Sequence, residues 1–357
     1  MCCKAKERIC KKDIMVNLKD FDIKEMGAFF ESIGEKKFRA KQVFQWIYRG
    51  VTDFDDMTDL SKSLREKLKE KAYVSSHKIE VVQQSKTDGT RKYLFELEDG
   101  NCIESVFMKY KYGNTLCVSS QAGCRMGCRF CASTLGGLKR NLTAGEIADE
   151  IIAVERDTGE KIGHIVVMGT GEPFDNYDNI AKFIRLINAK EGLNIGMRNI
   201  TVSTCGLVPG IEKFAEDFPQ VNLAISLHAP NNEIRSSMMP VNNKYSIEKL
   251  MEACRKYVEI TNRRITFEYT LVDGKNDSKE HIEELVSRLK GMLCHVNLIP
   301  LNKVVESGME ATPRRKAEEI AKVLESKGVP ATVRRELGAD IDGACGQLRL
   351  SKKQAEK

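Results

Sequence analysis

The strongest constraint on the fold is an alternation of short apolar segments and helix-like segments that begins after Thr115. The strand-like segments read TLCVSS, HIVVMG, NITVST, NLAISLH, ITFEYTLV, HVNLIPL and ATVRR. Between most of them lie helical patterns such as TAGEIADEIIAVERD, YDNIAKFIRLINAK and KEHIEELVSRLKGML. This alternation implies parallel strands joined by crossover helices. It predicts an α/β fold built as a full or partial (βα) barrel, with the chemistry at the strand ends.

Two smaller regions precede this core. Residues 17–75 repeat apolar residues at three- and four-residue spacing, which predicts a small helical accessory domain. Residues 76–110 hold β-prone runs that are separated by Asp88-Gly89 and Asp99-Gly100. Because Asp-Gly between such runs is a strong hairpin signal, we expect a β-meander linker there.

The remaining segments complete the predicted organisation. Residues 1–16 form a polar leader, and its cysteines have no matching ligand cluster nearby, so we expect Cys2, Cys3 and Cys10 to be incidental. The barrel core is expected over 111–340. A C-terminal segment, 341–357, follows it and carries Cys345.

Composition narrows the cellular setting. The 357 residues contain no apolar run long enough to span a membrane and no signal peptide, so a cytoplasmic protein is expected. Twelve cysteines in such a chain indicate thiols that bind metal or react. The formal net charge is +6, with much of the basic excess in the first 50 residues. That excess suggests a phosphate-bearing partner, although a solvated helix face would give the same pattern.

The densest chemical motif is QAGCRMGCRFCAST, which places Cys124, Cys128 and Cys131 within eight positions. Zinc and iron-sulfur sites normally use four donors. Cys102 or Cys117 could complete a four-thiolate zinc site, although Cys117 lies within a predicted strand. Alternatively, three thiolates on a four-iron cluster leave one iron open, and the amine and carboxylate of S-adenosylmethionine can fill that position.

The segment CRMGCRFC resembles the signature of the radical S-adenosylmethionine (radical SAM) superfamily. Further segments follow in the order found in the RlmN/Cfr family of that superfamily, including VVMGTGEPFDNYDN, ITVSTCGLVPGI, NLAISLHAPNNEIRSSMMPVN and DIDGACGQL. The resemblance runs from about Phe38 to Leu348. It implies a partial (βα)6 radical SAM barrel and one [4Fe-4S] cluster on Cys124, Cys128 and Cys131.

The resemblance also implies an activity. Members of the RlmN type methylate carbon 2 of an adenine in 23S rRNA and of the adenine 3′ to the anticodon in some tRNAs. That carbon is electron-poor, so simple attack on the sulfonium methyl cannot work and a radical route is needed. Two other functions remain open on the sequence: Cfr-type methylation of carbon 8, and a non-catalytic zinc-dependent RNA-binding module.

The family mechanism assigns roles to three residues and consumes two S-adenosylmethionine molecules per turnover. Cys345 takes a methyl from the first molecule, and a radical derived from the second activates that methyl so that it bonds to the adenine. Glu104 then removes the ring proton. Cys117 attacks the Cys345 sulfur, which releases the product and leaves a disulfide. Without the resemblance, Cys345 and Cys117 would be interpreted as packed thiols and Glu104 as an exposed strand carboxylate.

The resemblance further predicts the S-adenosylmethionine pocket. Gly171 and Glu172 match the GEP motif, in which backbone and carboxylate groups bind the methionyl ammonium. The other expected contacts are Ser203, Ser226, Leu227, His228 and Asn302. An electron donor such as flavodoxin or ferredoxin is implied, and we expect a monomer.

Overall fold

The structure is a computed structural model, and it describes residues 15–302 and 304–348. Most of the polar leader, with Cys2, Cys3 and Cys10, lies outside the described residues, as does the end of the C-terminal segment, 349–357. Within the described part of the chain, no helix is long and apolar enough to cross a bilayer.

The accessory region contains three helices between two short paired strands. Its elements are β1 (Val16–Asn17), α1 (Ile23–Ser32), α2 (Phe38–Tyr48), α3 (Lys62–Lys71) and β2 (Ala72–Tyr73). The strands β1 and β2 pair in parallel, so the two ends of the region lie side by side. Helix α1 starts at a capping box, in which Asp22 and Glu25 each accept a bond from the other's backbone N–H. The three predicted helices are therefore present.

The meander contains four antiparallel strands. They are β3 (Lys78–Gln84), β4 (Arg91–Glu96), β5 (Cys102–Tyr110) and β6 (Gly113–Val118). The turns at Asp88-Gly89 and Asp99-Gly100 connect β3 to β4 and β4 to β5, as their sequences predict. Strand β6 also pairs in parallel with the strand His164–Val167, which is β9 below. The meander therefore belongs to the same sheet as the core strands.

The rest of the chain alternates strands and helices. In order they are β7 (Gln121–Ala122), β8 (Arg140–Asn141), α4 (Ala144–Thr158), β9 (His164–Val167), α5 (Tyr177–Asn188), β10 (Ile200–Thr204), α6 (Val208–Asp217), β11 (Asn222–Ser226), α7 (Asn232–Met238), α8 (Ile247–Thr261), β12 (Ile265–Leu271), α9 (Lys279–Leu289), β13 (Cys294–Pro300), α10 (Arg314–Ser326) and β14 (Ala331–Val333). All seven strand-like segments of the core are strands.

The main sheet has ten strands in the order β14-β13-β12-β11-β10-β9-β6-β5-β4-β3. From β6 to β14 each strand is parallel to its neighbour, which is the connectivity of a (βα) barrel. Residues at or next to β9, β10, β11, β12, β13 and β14 all line one cavity, so the sheet curves around it. The edge strands β3 and β14 are not paired with each other, and the barrel is therefore partial.

A buried ion pair fixes the accessory region to the barrel. Lys19 Nζ contacts Asp149 of α4, and both side chains are 1% exposed. Asp149 also accepts from the backbone N–H of His77, and Asp20 Oδ1 accepts from Gly145 N at 2.9 Å. The first two turns of α4 thus hold the chain on both sides of the three accessory helices.

Candidate active site

The three clustered cysteines lie in the loop between β7 and β8, at the carboxyl ends of the parallel strands. They line a cavity of about 150 Å³, which we call the first cavity. Most of the residues proposed from the sequence share this lining: Cys124, Cys128, Cys131, Gly171, Glu172, Ser203, Ser226, His228, Asn302 and Cys345. Leu227 does not line it, because its side chain is fully buried in the main apolar core.

The three thiols have the chemistry that a bound metal centre requires. Burial raises the pKa of Cys124 to about 12 and also raises the pKa values of Cys128 and Cys131, so binding of a metal centre would displace their protons. In a four-iron cluster each thiolate binds a different iron atom, and three cysteines that line one cavity fit that requirement.

The cysteines considered as a fourth zinc ligand lie elsewhere. Cys117 lines a separate cavity, which is described below as the second cavity. Cys102, at the start of β5, lines neither the first cavity nor the second. A tetrahedral zinc site needs all its donors around one point. The arrangement therefore offers the zinc alternative no fourth ligand from these two residues.

Gly171 and Glu172 are held in place by close contacts with neighbouring loops. Gly171 has φ +113°, and an added Cβ there would lie 2.5 Å from Ser120 Oγ. The Glu172 Oε1 accepts from Thr204 Oγ1 at 2.7 Å and from Phe174 N at 3.0 Å, while Oε2 accepts from Cys205 N at 2.7 Å. These bonds leave little free acceptor capacity on the carboxylate. Glu172 therefore helps to fix the loop that lines the first cavity, and its contact with the methionyl ammonium stays a prediction.

His228 is held as a neutral donor. It has φ +54°, and its Nδ1 accepts from Thr270 N at 2.9 Å. Since a backbone N–H can only donate, the ring proton lies on Nε2. Burial, with help from the charge of Arg235, lowers the pKa of His228 to about 3. The imidazole thus offers the first cavity an N–H group without a positive charge.

A second cavity, of about 40 Å³, is lined by two cysteines from outside the cluster motif. Cys117 on β6 lines it, and Cys345 lines both cavities. Burial and the nearby Cys345 thiol raise the pKa of Cys117. All nine cysteines among the described residues are free thiols. The fold therefore brings Cys345 close both to the clustered cysteines and to Cys117.

Glu104 lies close to this second cavity without lining it. Side chains alternate along β5, so Glu104 is on the same face as Val106 and Met108, which do line the second cavity. Its carboxylate is buried, and Oε1 lies 3.6 Å from Lys92 Nζ. The Lys92 Nζ also donates to the Asp342 carbonyl at 3.4 Å, which ties Glu104 to the C-terminal segment.

The described part of the C-terminal segment is anchored at several places. Asn302 Nδ2 donates to the Cys345 carbonyl at 3.0 Å, and Ala132 N donates to the Gly346 carbonyl at 2.7 Å. A further anchor is the bond from Ser133 Oγ to the Leu348 carbonyl at 3.2 Å, and just before the segment Gly338 N donates to Asp88 Oδ2 at 2.9 Å. Asn302 thus positions Cys345 in addition to lining the first cavity.

The sequence did not predict three polar residues that the structure places at the site. Glu268 and Arg334 line the first cavity, where burial raises the pKa of Glu268, and Arg334 lines the second cavity as well. Arg235 is fully buried beside the loops that carry Cys205 and Ser226. A single acid within the apolar segment ITFEYTLV is a signal that could have indicated Glu268. Nothing local marks Arg235.

Comparison with known proteins places this geometry in a family. Residues 16–74 match the model of the ribosomal RNA large subunit methyltransferase N-terminal domain, and residues 118–289 match the radical SAM superfamily. Proteins named probable dual-specificity RNA methyltransferase RlmN are 57% identical in Thermoanaerobacter sp. (strain X514) and 58% identical in Caldanaerobacter subterraneus subsp. tengcongensis. Each match covers 94% of this chain and 98% of the relative.

A solved structure agrees with these relatives. The crystal structure of a radical SAM methyltransferase from Sphaerobacter thermophilus aligns with a TM-score of 0.90 at 44% identity. The alignment covers 94% of this chain and all of that one. The fold, the cysteine loop and the matched sequences therefore agree, and the chain belongs to the RlmN family within the radical SAM superfamily.

Proposed function

We propose that this protein is a radical SAM RNA methyltransferase that methylates carbon 2 of adenine in 23S rRNA and in some tRNAs, with Cys345 as the methyl carrier. The observation that carries the proposal is the position of Cys345, which lines both the cavity of the clustered cysteines and the cavity of Cys117. A carrier must reach the methyl donor and then the resolving thiol, and this position gives access to both.

The first cavity would bind the cofactors. Cys124, Cys128 and Cys131 would hold one [4Fe-4S] cluster, which supplies the electron that cleaves S-adenosylmethionine. The neutral Nε2–H of His228 suits an acceptor atom of that molecule, and Gly171 and Glu172, which line the same cavity, would contact its methionyl part. Ser203, Ser226 and Asn302 would contribute further polar contacts. Leu227 would hold the backbone of this pocket in place, because its side chain is in the core and its N–H and carbonyl are bonded to Glu268 and Arg235.

The second cavity would complete the reaction. The carbon carried on Cys345 bonds to carbon 2 of the adenine, and the Glu104 carboxylate takes the proton from that carbon. Cys117 then attacks the Cys345 sulfur, and a disulfide forms as the carbon-sulfur bond breaks. The released carbon takes up a proton to complete the methyl group, and the unpaired electron of the adduct would return to the oxidised cluster. Two electrons must return this disulfide to two thiols before the next turnover. Two S-adenosylmethionine molecules are consumed, one as methyl donor and one as radical source.

The partners follow from this reaction. We assign residues 17–75 to RNA binding, with 76–110 as the meander and 111–340 as the catalytic core. A flavodoxin or ferredoxin would supply electrons to the cluster. We place the protein in the cytoplasm with its RNA substrates, as a monomer.

The test is mass spectrometry of RNA after anaerobic reaction with S-adenosylmethionine and a reductant. The substrates are a 23S rRNA fragment and tRNA, each with a matched RNA in which the target adenine is replaced by guanine. New 2-methyladenosine at the target position supports the proposal. A product of 8-methyladenosine would instead assign the chain to the Cfr type. A colourless zinc-containing protein that methylates neither RNA would contradict catalysis altogether.

A further inference from the structure

Arg235 on α7 is a buried cation, and no carboxylate within the described part of the chain contacts it. Its side chain is 0% exposed, and the guanidinium donates to the carbonyl oxygens of Cys205 at 2.6 Å, Leu227 at 3.2 Å and Ser226 at 3.3 Å, and to Asn242 Oδ1 at 3.1 Å. All four acceptors are neutral. A buried arginine without a paired anion is rare, because desolvation of its charge costs several kcal/mol.

The surroundings of Arg235 include the cysteine loop. Cys128 packs against the small apolar cluster that contains Cys205, Met238 and Met239. The same loop is tied to the end of α7, because Arg129 N donates to the Met238 carbonyl at 2.9 Å. Burial lowers the pKa of Arg235, and the nearby thiols of Cys205 and Cys128 oppose that change. The guanidinium therefore belongs to the wall behind Cys128.

A cluster on this loop would supply the negative charge. Three thiolates outweigh the charge of an oxidised [4Fe-4S] core, and the gain of one electron makes the assembly more negative by one unit. A fixed cation nearby in a low-dielectric environment favours the more negative state. Charge and hydrogen bonding around a cluster are established determinants of its reduction potential.

We propose that Arg235 is the buried counter-charge of the cluster and raises its reduction potential, so that the electron needed for cleavage of S-adenosylmethionine can be accepted. The inference rests on the proposed function, because it requires that Cys124, Cys128 and Cys131 hold the cluster. Arg235 acts as a positioning and tuning residue. Its hydrogen bonds also fix the loops after β10 and β11, so the test must separate charge from structure.

The test is a dithionite titration of the anaerobically reconstituted protein, followed by electron paramagnetic resonance of the reduced cluster. Arg235→Gln removes the positive charge. Arg235→Lys keeps the positive charge but lacks the planar guanidinium group. Asn242→Asp is the second variant, because it places a carboxylate on the same guanidinium nitrogen and neutralises the cation in place, although it gives up the bonds that Asn242 Nδ2 donates to Asn232 and Ser236. Arg288→Gln is the control, since Arg288 is paired with Glu284 and Glu248.

We expect a lower midpoint potential for Arg235→Gln and for Asn242→Asp than for the wild type, with Arg235→Lys and Arg288→Gln close to the wild type. If Arg235→Gln fails to fold, the Asn242→Asp shift alone decides. Equal potentials in Asn242→Asp and the wild type would overturn the inference and leave the proposed function intact. A wild-type protein that assembles no cluster would contradict both.

Discussion

The Lys19–Asp149 pair offers the sharpest test of how the accessory region is held on the barrel. Substitution Lys19→Met keeps the length of the side chain and leaves the Asp149 carboxylate buried without its cation. Removal of one partner of a buried pair costs about 3–5 kcal/mol, because the remaining charge is neither solvated nor neutralised. We therefore expect the free energy of unfolding of the Lys19→Met variant to fall by about that amount.

The assay is urea unfolding of the metal-free protein, monitored by circular dichroism. The control is Lys182→Met, which breaks the partly exposed pair with Glu25 at 2.7 Å and should cost no more than about 1 kcal/mol. The double variant Lys19→Met/Asp149→Leu should be more stable than Lys19→Met alone, since no isolated charge remains. If the double variant instead loses the sum of the two single losses, the charges are not coupled and the reasoning is wrong.

This pair also has a defined pH dependence. Burial raises the pKa of Asp149, but the charges of Lys19 and His77 and the hydrogen bonds that both residues donate together outweigh that effect, so the pKa ends below its usual value. The contribution is therefore fully present above the unfolded-state pKa of about 3.9 and is lost as the pH falls through the folded-state pKa. In the Lys19→Met variant burial acts without that cation and raises the pKa of Asp149, so a fall in pH should relieve the penalty of the buried carboxylate instead of removing stability.

Four further predictions concern the site. Cys345→Ala should abolish RNA methylation, because no carrier sulfur remains, and near wild-type 2-methyladenosine by mass spectrometry would refute the carrier role. Cys117→Ala should trap a covalent protein-RNA species that migrates slowly on a denaturing gel; its absence would count against Cys117 as the resolving thiol. Gly171→Ala should cost about 1–3 kcal/mol from backbone strain alone and weaken S-adenosylmethionine binding in equilibrium dialysis, while Gly163→Ala, where the added Cβ meets no atom within 4 Å, should not. Since burial lowers the pKa of His228 to about 3, wild-type stability should fall as the pH drops below about 6.5, and His228→Asn should flatten that decline in urea midpoints measured against pH.

The elements of the fold follow from local signals in the sequence. Each core strand is a short apolar run bounded by polar residues, and each helix carries its own three- and four-residue spacing, so both could be predicted without tertiary information. The turns at Asp88-Gly89 and Asp99-Gly100 are equally local. The pairing of β6 with β9 is different, because it joins Cys117 to Val166 across an intervening loop and helix. No local pattern specifies that the meander and the core share a sheet.

The site shows the same division. The spacing of Cys124, Cys128 and Cys131 is a property of one loop, and the structure puts all three on one cavity. The approach of Cys345 to Cys117 depends on the whole sheet, and only the family resemblance indicated it. Arg235 lies in the polar segment NEIRSS, which reads as an exposed helix. Its complete burial results from the packing of α7 against the ends of β10 and β11.

The anchors of the C-terminal segment have a consequence for how the protein is made. Ser133 and Leu348 are separated by 215 residues, and Lys92 and Asp342 by 250. Translation proceeds from the N-terminus, so the meander and the cysteine loop that anchor this segment are synthesised well before it. The segment that carries Cys345 can therefore dock only after the parts of the site that it contacts have been made.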